Sequence, residues 1–432
     1  MASKVENQVI EGSIATLITQ LVVVFIGVVT TFLIARVLGP SGKGLFTITL
    51  TLASILVTIF HSSLGFANAH FASQSPELRP SLLGNGIALS FIGGGIFTFL
   101  VAIFFTNLRQ NHYPIVSDRL WVIVLLAIIP LLLQELSNGL VFGMESLLKM
   151  TATLLGKELV FLSLVIVLIM LNEGSTFGFI SLWLAIAFIG SSLMLIQAFR
   201  STSESPFIEV TTMLKALKFG INYHSTHIFT LLRLRFDPLL IGLFLTSDEV
   251  GYYSIVMAFI AGIWSVPAIF GPYLLKHFRN FGIEPGYELI SLTLRTCFSL
   301  VVVIAVLIAL FGPPLIALFP GKQFLPAYQA LLLLLPGSVL YTISQLLSGI
   351  LEEGMVDRAQ KVGVWLFISN IVLSLLLIPK FGILGAAAST TIVNSVAGLM
   401  FLHLLLIESG MNLSEVLILK KDDLYIIFRS GG

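Results

Sequence analysis

Long apolar runs, cut at intervals by charged or Gly/Pro-marked breaks, fill the chain from end to end. Each run approaches or exceeds the roughly 20 mostly apolar residues that one helix needs to cross a bilayer core of about 30 Å. Twelve spans are predicted, over residues 12–38, 44–69, 82–106, 119–143, 151–171, 177–199, 219–246, 250–275, 290–312, 324–351, 362–379 and 383–407. The first run follows a leader with Glu6 and Glu11 beside a single Lys4. A secretory signal has a basic leader and a shorter apolar core, so this run reads as a retained span. The breaks are short, the longest outer one being NLRQNHYPIVSD at 107–118, which leaves no room for an extramembrane domain. The pattern predicts an all-α integral membrane protein.

The breaks also carry an orientation. With the N-terminus inside, fifteen Lys and Arg fall in cytoplasmic segments: Lys4, Arg79, Lys149, Lys157, Arg200, Lys215, Lys218, Lys276, Arg279, Arg295, Arg358, Lys361, Lys420, Lys421 and Arg429. Six fall outside: Arg36, Lys43, Arg109, Arg119, Lys322 and Lys380. Basic loops stay on the cytoplasmic side during insertion, so both termini are expected there and the span number is even.

Three segments recur at an offset near 205 residues, each at the corresponding place in the span order. GKGLFTITLTLASI resembles EVGYYSIVMAFIAGI, with Gly44 over Gly251; QELSNGLVFGM resembles SQLLSGILEEGM; TFGFISLWLAIAF resembles KFGILGAAASTTI. Two parallel, pseudo-symmetric six-helix lobes are therefore expected, at 1–200 and 219–408, with a polar cytoplasmic linker at 201–218 and a cytoplasmic tail at 409–432. Parallel repeats are a transporter arrangement whose substrate site lies between the halves.

Composition narrows the classes. Of 432 residues 57% are apolar and 10% charged, against roughly a quarter charged in a soluble protein. A formal charge of +1 offers no basic field for nucleic acid. The single cysteine, Cys297, lies in an apolar run, which removes intrachain disulfides and thiolate metal clusters. GPSGKGL at 39–45 lacks the glycine spacing and the Ser or Thr of a phosphate loop, and no hydrolase or zinc-protease motif is present. No cofactor is expected beyond a coupling ion, H+ or Na+, and no catalytic constellation.

Polar residues inside the spans are the candidate site, because a buried charge in a membrane costs several kcal/mol unless it faces protein or water. In span 7, Asn222, Thr226, Thr230, Arg233 and Asp237 are spaced 4, 4, 3 and 4 and share one helical face. Arg233 and Asp237 can pair one turn apart, ahead of Pro238. The functional reading is a cation in a water-filled cavity, held by a carboxylate until an anion displaces it; the structural reading is a buried ion pair between helices. Arg235 points away from Asp237 and reads as a snorkelling or interhelical residue. Weaker stripes run through span 1 (Ser13, Thr16, Gln20, Gly27, Thr31), span 2 (Thr47, Thr51, Ser54, Thr58, Ser62, with His61 at the edge) and span 10 (Ser338, Tyr341, Gln345, Ser348, Glu352). Such stripes serve close helix packing as readily as a ligand path. Glu135 in span 4 is a candidate ion-coupling site, and His61, His224 and His227 are candidates because histidine titrates near neutral pH.

ARVLGPSGKGLF closing span 1, FDPLLIGLFLTSDEVGYYSIVMAF from span 7 into span 8, and LLLIPKFGILGAAASTTI from span 11 into span 12 resemble the polysaccharide transporter branch of the multidrug/oligosaccharidyl-lipid/polysaccharide flippase superfamily, which includes the O-antigen flippases. The resemblance implies two six-helix lobes that alternate access. It implies movement of an undecaprenyl-diphosphate-linked oligosaccharide from the inner to the outer leaflet of a bacterial inner membrane, for O-antigen, capsule or exopolysaccharide biosynthesis. It also implies central cationic residues, matched by Arg233 in span 7 and, at the span-1 end, by Arg36. Lipid-linked oligosaccharide and membrane lipids are the implied partners, along with a polysaccharide polymerase complex. The rival readings are a proton- or sodium-coupled drug or cation extruder of the same superfamily, which would carry acidic cavity residues, and a membrane polysaccharide polymerase or ligase. The short outer breaks disfavour the latter. A non-transporting scaffold for polysaccharide assembly is a third.

Overall fold

The computed structural model describes the backbone of residues 2–61, 64–144, 147–202, 204–281, 283–354, 356–420 and 423, and it is all-helical over them. The chain divides into two compact units, Met1–Ser254 and Ile255–Gly432. The first holds α1 (Ala2–His61), α2 (Leu64–Gln74), α3 (Arg79–Ala88), α4 (Gly94–His112), α5 (Asp118–Met144), α6 (Leu147–Met170), α7 (Thr176–Arg200), α8 (Val210–Phe244) and the start of α9 (Ser247–Phe281). The second holds the rest of α9, then α10 (Ile283–Ile316), α11 (Ala327–Gly354), α12 (Val356–Phe381), α13 (Ile383–Ser409) and the short α14 (Leu413–Leu417).

Ten helical runs among the described residues are long and apolar enough to cross a membrane. The first, Ile18–His61, has 44 residues and would be roughly 66 Å long if straight, twice the bilayer core. It is broken at Gly39, whose φ of 68° and ψ of −179° suit glycine alone. Pro40 then starts the next segment, where its missing N–H costs nothing. One continuous run thereby holds two crossings, so the described runs are roughly consistent with the twelve spans predicted. Large apolar side chains face outward, Phe104 at 68% exposure and Trp365 at 70% among them. In water such a surface would aggregate; against lipid tails it is matched. The protein is a multi-pass membrane protein.

Two kinds of contact set the first unit. Gly139 and Gly143 of α5 form a small-xxx-small notch against Gly65 and Ala69 of α2. A Cβ on Gly139 would lie 2.0 Å from the Gly65 carbonyl oxygen, and one on Gly143 2.4 Å from that of Ala69. Near the break in α1, Gly44 abuts the Ser247 carbonyl and Gly251 the Pro40 carbonyl, at 1.8 and 2.0 Å from an added Cβ. Ser247 and Gly251 follow Pro40 and Gly44 by the same interval of residues, so the contact is reciprocal, and it uses the two glycines that the internal repeat aligns. The Ser41 and Ser247 hydroxyls share a hydrogen bond of 2.8 Å there. The linker is also held: the Asn85 amide brackets residue 209, donating to its carbonyl and accepting from its N–H, each at 3.0 Å.

The second unit is built on α11 and α13. Ile343, Leu346 and Leu347 pack with Phe401, Leu402 and Leu405, and α10 adds Ile290, Leu294 and Cys297. Between α12 and α13 a buried polar seam pairs Ser374 with Ser389 (2.8 Å) and Asn370 with Thr390 (3.4 Å). The described part of the tail packs onto this unit. Val416 of α14 is fully buried in the α10/α11/α13 core. Asp423 is buried too, accepting two hydrogen bonds of 2.8 Å from Arg295, whose third nitrogen donates to the Glu415 carbonyl. A guanidinium fork matched to a carboxylate draws an apparently hydrophilic tail back onto the bundle.

Candidate functional site

A cavity of about 430 Å³ opens within the first unit between α1, α2, α5 and α8. Ser54, Thr58 and His61 line it from α1, Gly65 and Phe66 from α2, Glu135 and Asn138 from α5, and Arg235 from α8. Glu135 and Arg235 each lie nine residues from the end of their helix, roughly 14 Å along it and so near the middle of the bilayer core. Glu135 projects into the open space of the cavity, while protein surrounds it on most sides. Arg235 is half-buried, reaches the Thr58 hydroxyl at 3.5 Å, and acts electrostatically on Glu135. Thr58 in turn donates to the Ser54 carbonyl at 2.8 Å, which leaves its oxygen lone pairs for the arginine. The cavity thus offers one guanidinium, one carboxylate and one imidazole among hydroxyl, amide and apolar groups.

Span 7 presents a different arginine to this cavity from the one its polar stripe selects. Arg233 and Asp237, each 5% exposed, sit on the packed side of α8. Asp237 accepts a hydrogen bond of 2.7 Å from Tyr253 of α9, itself wholly buried. That hydrogen bond is a polar clasp between α8 and α9. Arg235, read from sequence as a snorkelling or interhelical residue, is the one that lines the cavity. Asn222, Thr226, Thr230, His224 and His227 fall outside the residues whose side chains are described. Arg36 is exposed one turn before the Gly39 break, and Gln20 is half-buried; neither is among the residues lining the cavity. Glu135 and His61, the two candidate coupling groups on described residues, both line it.

A second cavity, of about 270 Å³, lies on the other side of α5, between α1, α5, α6 and α7. Thr30, Thr31, Gln134, Lys157, Glu158 and Trp183 line it, and Lys157 pairs with Glu158 at 3.3 Å. Sequence reading placed Lys157 among the cytoplasmic cations. It stands ten residues into α6, roughly 15 Å from the helix end, so it is an intramembrane charge. The available signal was its position inside the predicted span 151–171.

A helical membrane bundle with charged cavities at mid-membrane depth defines the class: a multi-pass membrane protein with a transporter-type fold. The structure superposes on the lipid II flippase MurJ in an inward closed conformation with a TM-score of 0.72 at 16% identity, covering 97% of this chain and 92% of that one. An inward-facing multidrug resistance MATE transporter of the MOP superfamily gives 0.71 at 13% identity, covering 92% and 98%. A MOP superfamily transporter from Pyrococcus furiosus, described as having a binding pocket of reverse polarity, gives 0.62 at 12% identity over 92% and 95%. Comparison with curated protein sequences gives no significant match. The family model for polysaccharide biosynthesis proteins matches residues 9–266. The chain belongs to that family.

Proposed function

We propose that the protein flips an oligosaccharide linked to an undecaprenyl diphosphate carrier from the cytoplasmic to the outer leaflet of a bacterial inner membrane, by alternating access, with both termini cytoplasmic. The product would feed a surface polysaccharide such as O-antigen, capsule or exopolysaccharide. The observation that carries this reading is Arg235, a cation held at mid-membrane depth in an open cavity. A diphosphate stripped of water in hydrocarbon is prohibitively costly. A guanidinium replaces part of that hydration with forked, charge-assisted hydrogen bonds, and the lipid tail stays in the bilayer while the head group uses the polar path. Family membership and fold agree with this chemistry. Glu135 and His61, facing the same cavity, are the proposed ion-coupling groups.

A second reading draws on Glu135 itself: an acidic group in the cavity suits a proton- or sodium-coupled extruder of cations. One experiment separates the two. The gene is deleted in its host, and undecaprenyl-diphosphate-linked oligosaccharide is quantified by mass spectrometry, with complementation by wild type and by Arg235→Gln. Accumulation of the lipid-linked unit, cleared by wild type and at least about tenfold less well by an Arg235→Gln protein that inserts normally, supports the flippase. Absence of accumulation ends it in favour of extrusion.

A further inference from the structure

The second cavity, across α5 from Arg235, is furnished for a ligand of a different kind. Lys157 and Glu158 are neighbours in sequence, and side chains at i and i+1 of a helix diverge by about 100°. Their charged ends nevertheless meet at 3.3 Å, at 19% and 22% exposure, in a cavity that both line. The pair lies within α6 alone, so it ties no helix to another, and it cancels its own charge. Thr31 of α1, Gln134 of α5 and Trp183 of α7 line the same cavity, and none of the three makes a hydrogen bond among the described residues. A Cβ on Gly190 of α7 would lie 2.8 Å from the Lys157 Cδ and 2.9 Å from the Gln134 Oε1, so the lysine stem and the amide converge beside one glycine. Polar groups kept inside a membrane without protein partners are costly unless something enters to satisfy them. Water could satisfy the amide and the hydroxyl, but it gains nothing from the aromatic faces of Trp183 and Phe161 beside them.

We infer that this cavity is a binding site for a single sugar ring. Hydroxyls both donate and accept, which matches a set made of an ammonium, a carboxylate, an amide and a hydroxyl. The C–H face of a pyranose carries slight positive charge and rests on the negative face of an indole ring. With its charges already paired, the cavity suits an uncharged ligand better than a diphosphate or a free cation. Its volume of about 270 Å³ falls just below the roughly 300–1,000 Å³ of sites for drug-sized ligands, which admits one ring and not an oligosaccharide. The inference rests on the flippase reading for the choice of sugars, those of the polysaccharide that the host displays. Because α5 separates the two cavities, the ring is recognised apart from the diphosphate at Arg235.

The test is saturation-transfer NMR on the purified full-length protein in lipid nanodiscs, with the monosaccharides released by complete hydrolysis of the host's surface polysaccharide as the probe. Magnetisation should pass to at least one of these sugars. Trp183→Ala should weaken its binding about tenfold or more, while Trp183→Phe, which keeps an aromatic face, should stay within about threefold of wild type. Thr31→Val is nearly isosteric and removes only the hydroxyl; it should weaken binding about fivefold, and it decides the matter if the tryptophan variant fails to fold. Binding of farnesyl diphosphate, a short lipid diphosphate, is measured alongside for wild type and Arg235→Gln. No transfer to any sugar, or equal transfer in wild type, Trp183→Ala and Thr31→Val, overturns the sugar site, and the flippase reading survives that result if diphosphate binding depends on Arg235. Diphosphate binding indifferent to Arg235 counts against the flippase reading instead, and sugar binding weakened by Thr31→Val then still establishes the site.

Discussion

At the scale of single residues, the two arginines of α8 are separated by what surrounds them. Arg233 and Asp237 are packed away, and Asp237 accepts a hydrogen bond from the buried Tyr253 hydroxyl. Asp237→Ala removes that acceptor and should cost about 1–3 kcal/mol, visible as a lowered unfolding temperature in detergent. Arg235→Gln should lower that temperature less, because its side chain lines the cavity. The contrast places the structural role on one arginine and the ligand-facing role on the other, and equal thermal effects would refute it. Sequence periodicity puts Arg233 and Asp237 on one face, yet it could not say which face of the helix meets the cavity. That depends on which neighbours α8 packs against.

At the scale of elements, the break at Gly39 is a joint made by backbone conformation. A side chain there is forced into a region that L-residues avoid, so Gly39→Ala should cost roughly 1–3 kcal/mol. Reduced yield of folded protein on size exclusion checks it. The reciprocal contact of Gly44 and Gly251 tolerates even less: each added methyl would overlap a carbonyl oxygen, so Gly44→Ala or Gly251→Ala must push the part of α1 just after its break and the start of α9 apart. Cysteines at positions 41 and 247, whose hydroxyls now meet at 2.8 Å, should crosslink readily in the parent and poorly in either Ala background. Unchanged crosslinking would show that the contact flexes. The sequence aligned the two glycines as equivalent positions of a repeat, but not as partners in one contact, since a repeat states likeness and not adjacency.

For the molecule as a whole, the tail shows how an outlying segment is committed to the bundle. Burial alone would raise the Asp423 carboxyl, but hydrogen bonds from Arg295 and from the Lys420 N–H outweigh it and hold the group below the usual carboxylate range. A depressed folded value means that the pairing stabilises the docked tail above the unfolded value of about 4. That contribution is lost as pH falls through the lower folded value. Limited proteolysis with pepsin should therefore release the tail in wild type only at the acid end of its range. Asp423→Asn should release it across the range, because one buried partner of a pair, left alone, costs about 3 kcal/mol or more. Release that is identical in both would remove the latch.

Length and periodicity of the apolar runs and the scarcity of charge were enough to establish a polytopic helical membrane protein. Hydrophobic matching to a bilayer is a property of each segment taken alone. They were also enough to single out Glu135 and His61, because an ionisable residue inside a span is conspicuous wherever it packs. Tertiary structure decided the rest. It chose Arg235 over Arg233 for the cavity, moved Lys157 from a loop count into the membrane, and turned a charged tail into a buried clasp between Arg295 and Asp423. In each case the deciding quantity is which side of a helix meets protein, cavity or lipid. That depends on contacts between residues far apart in the chain, which no local pattern encodes.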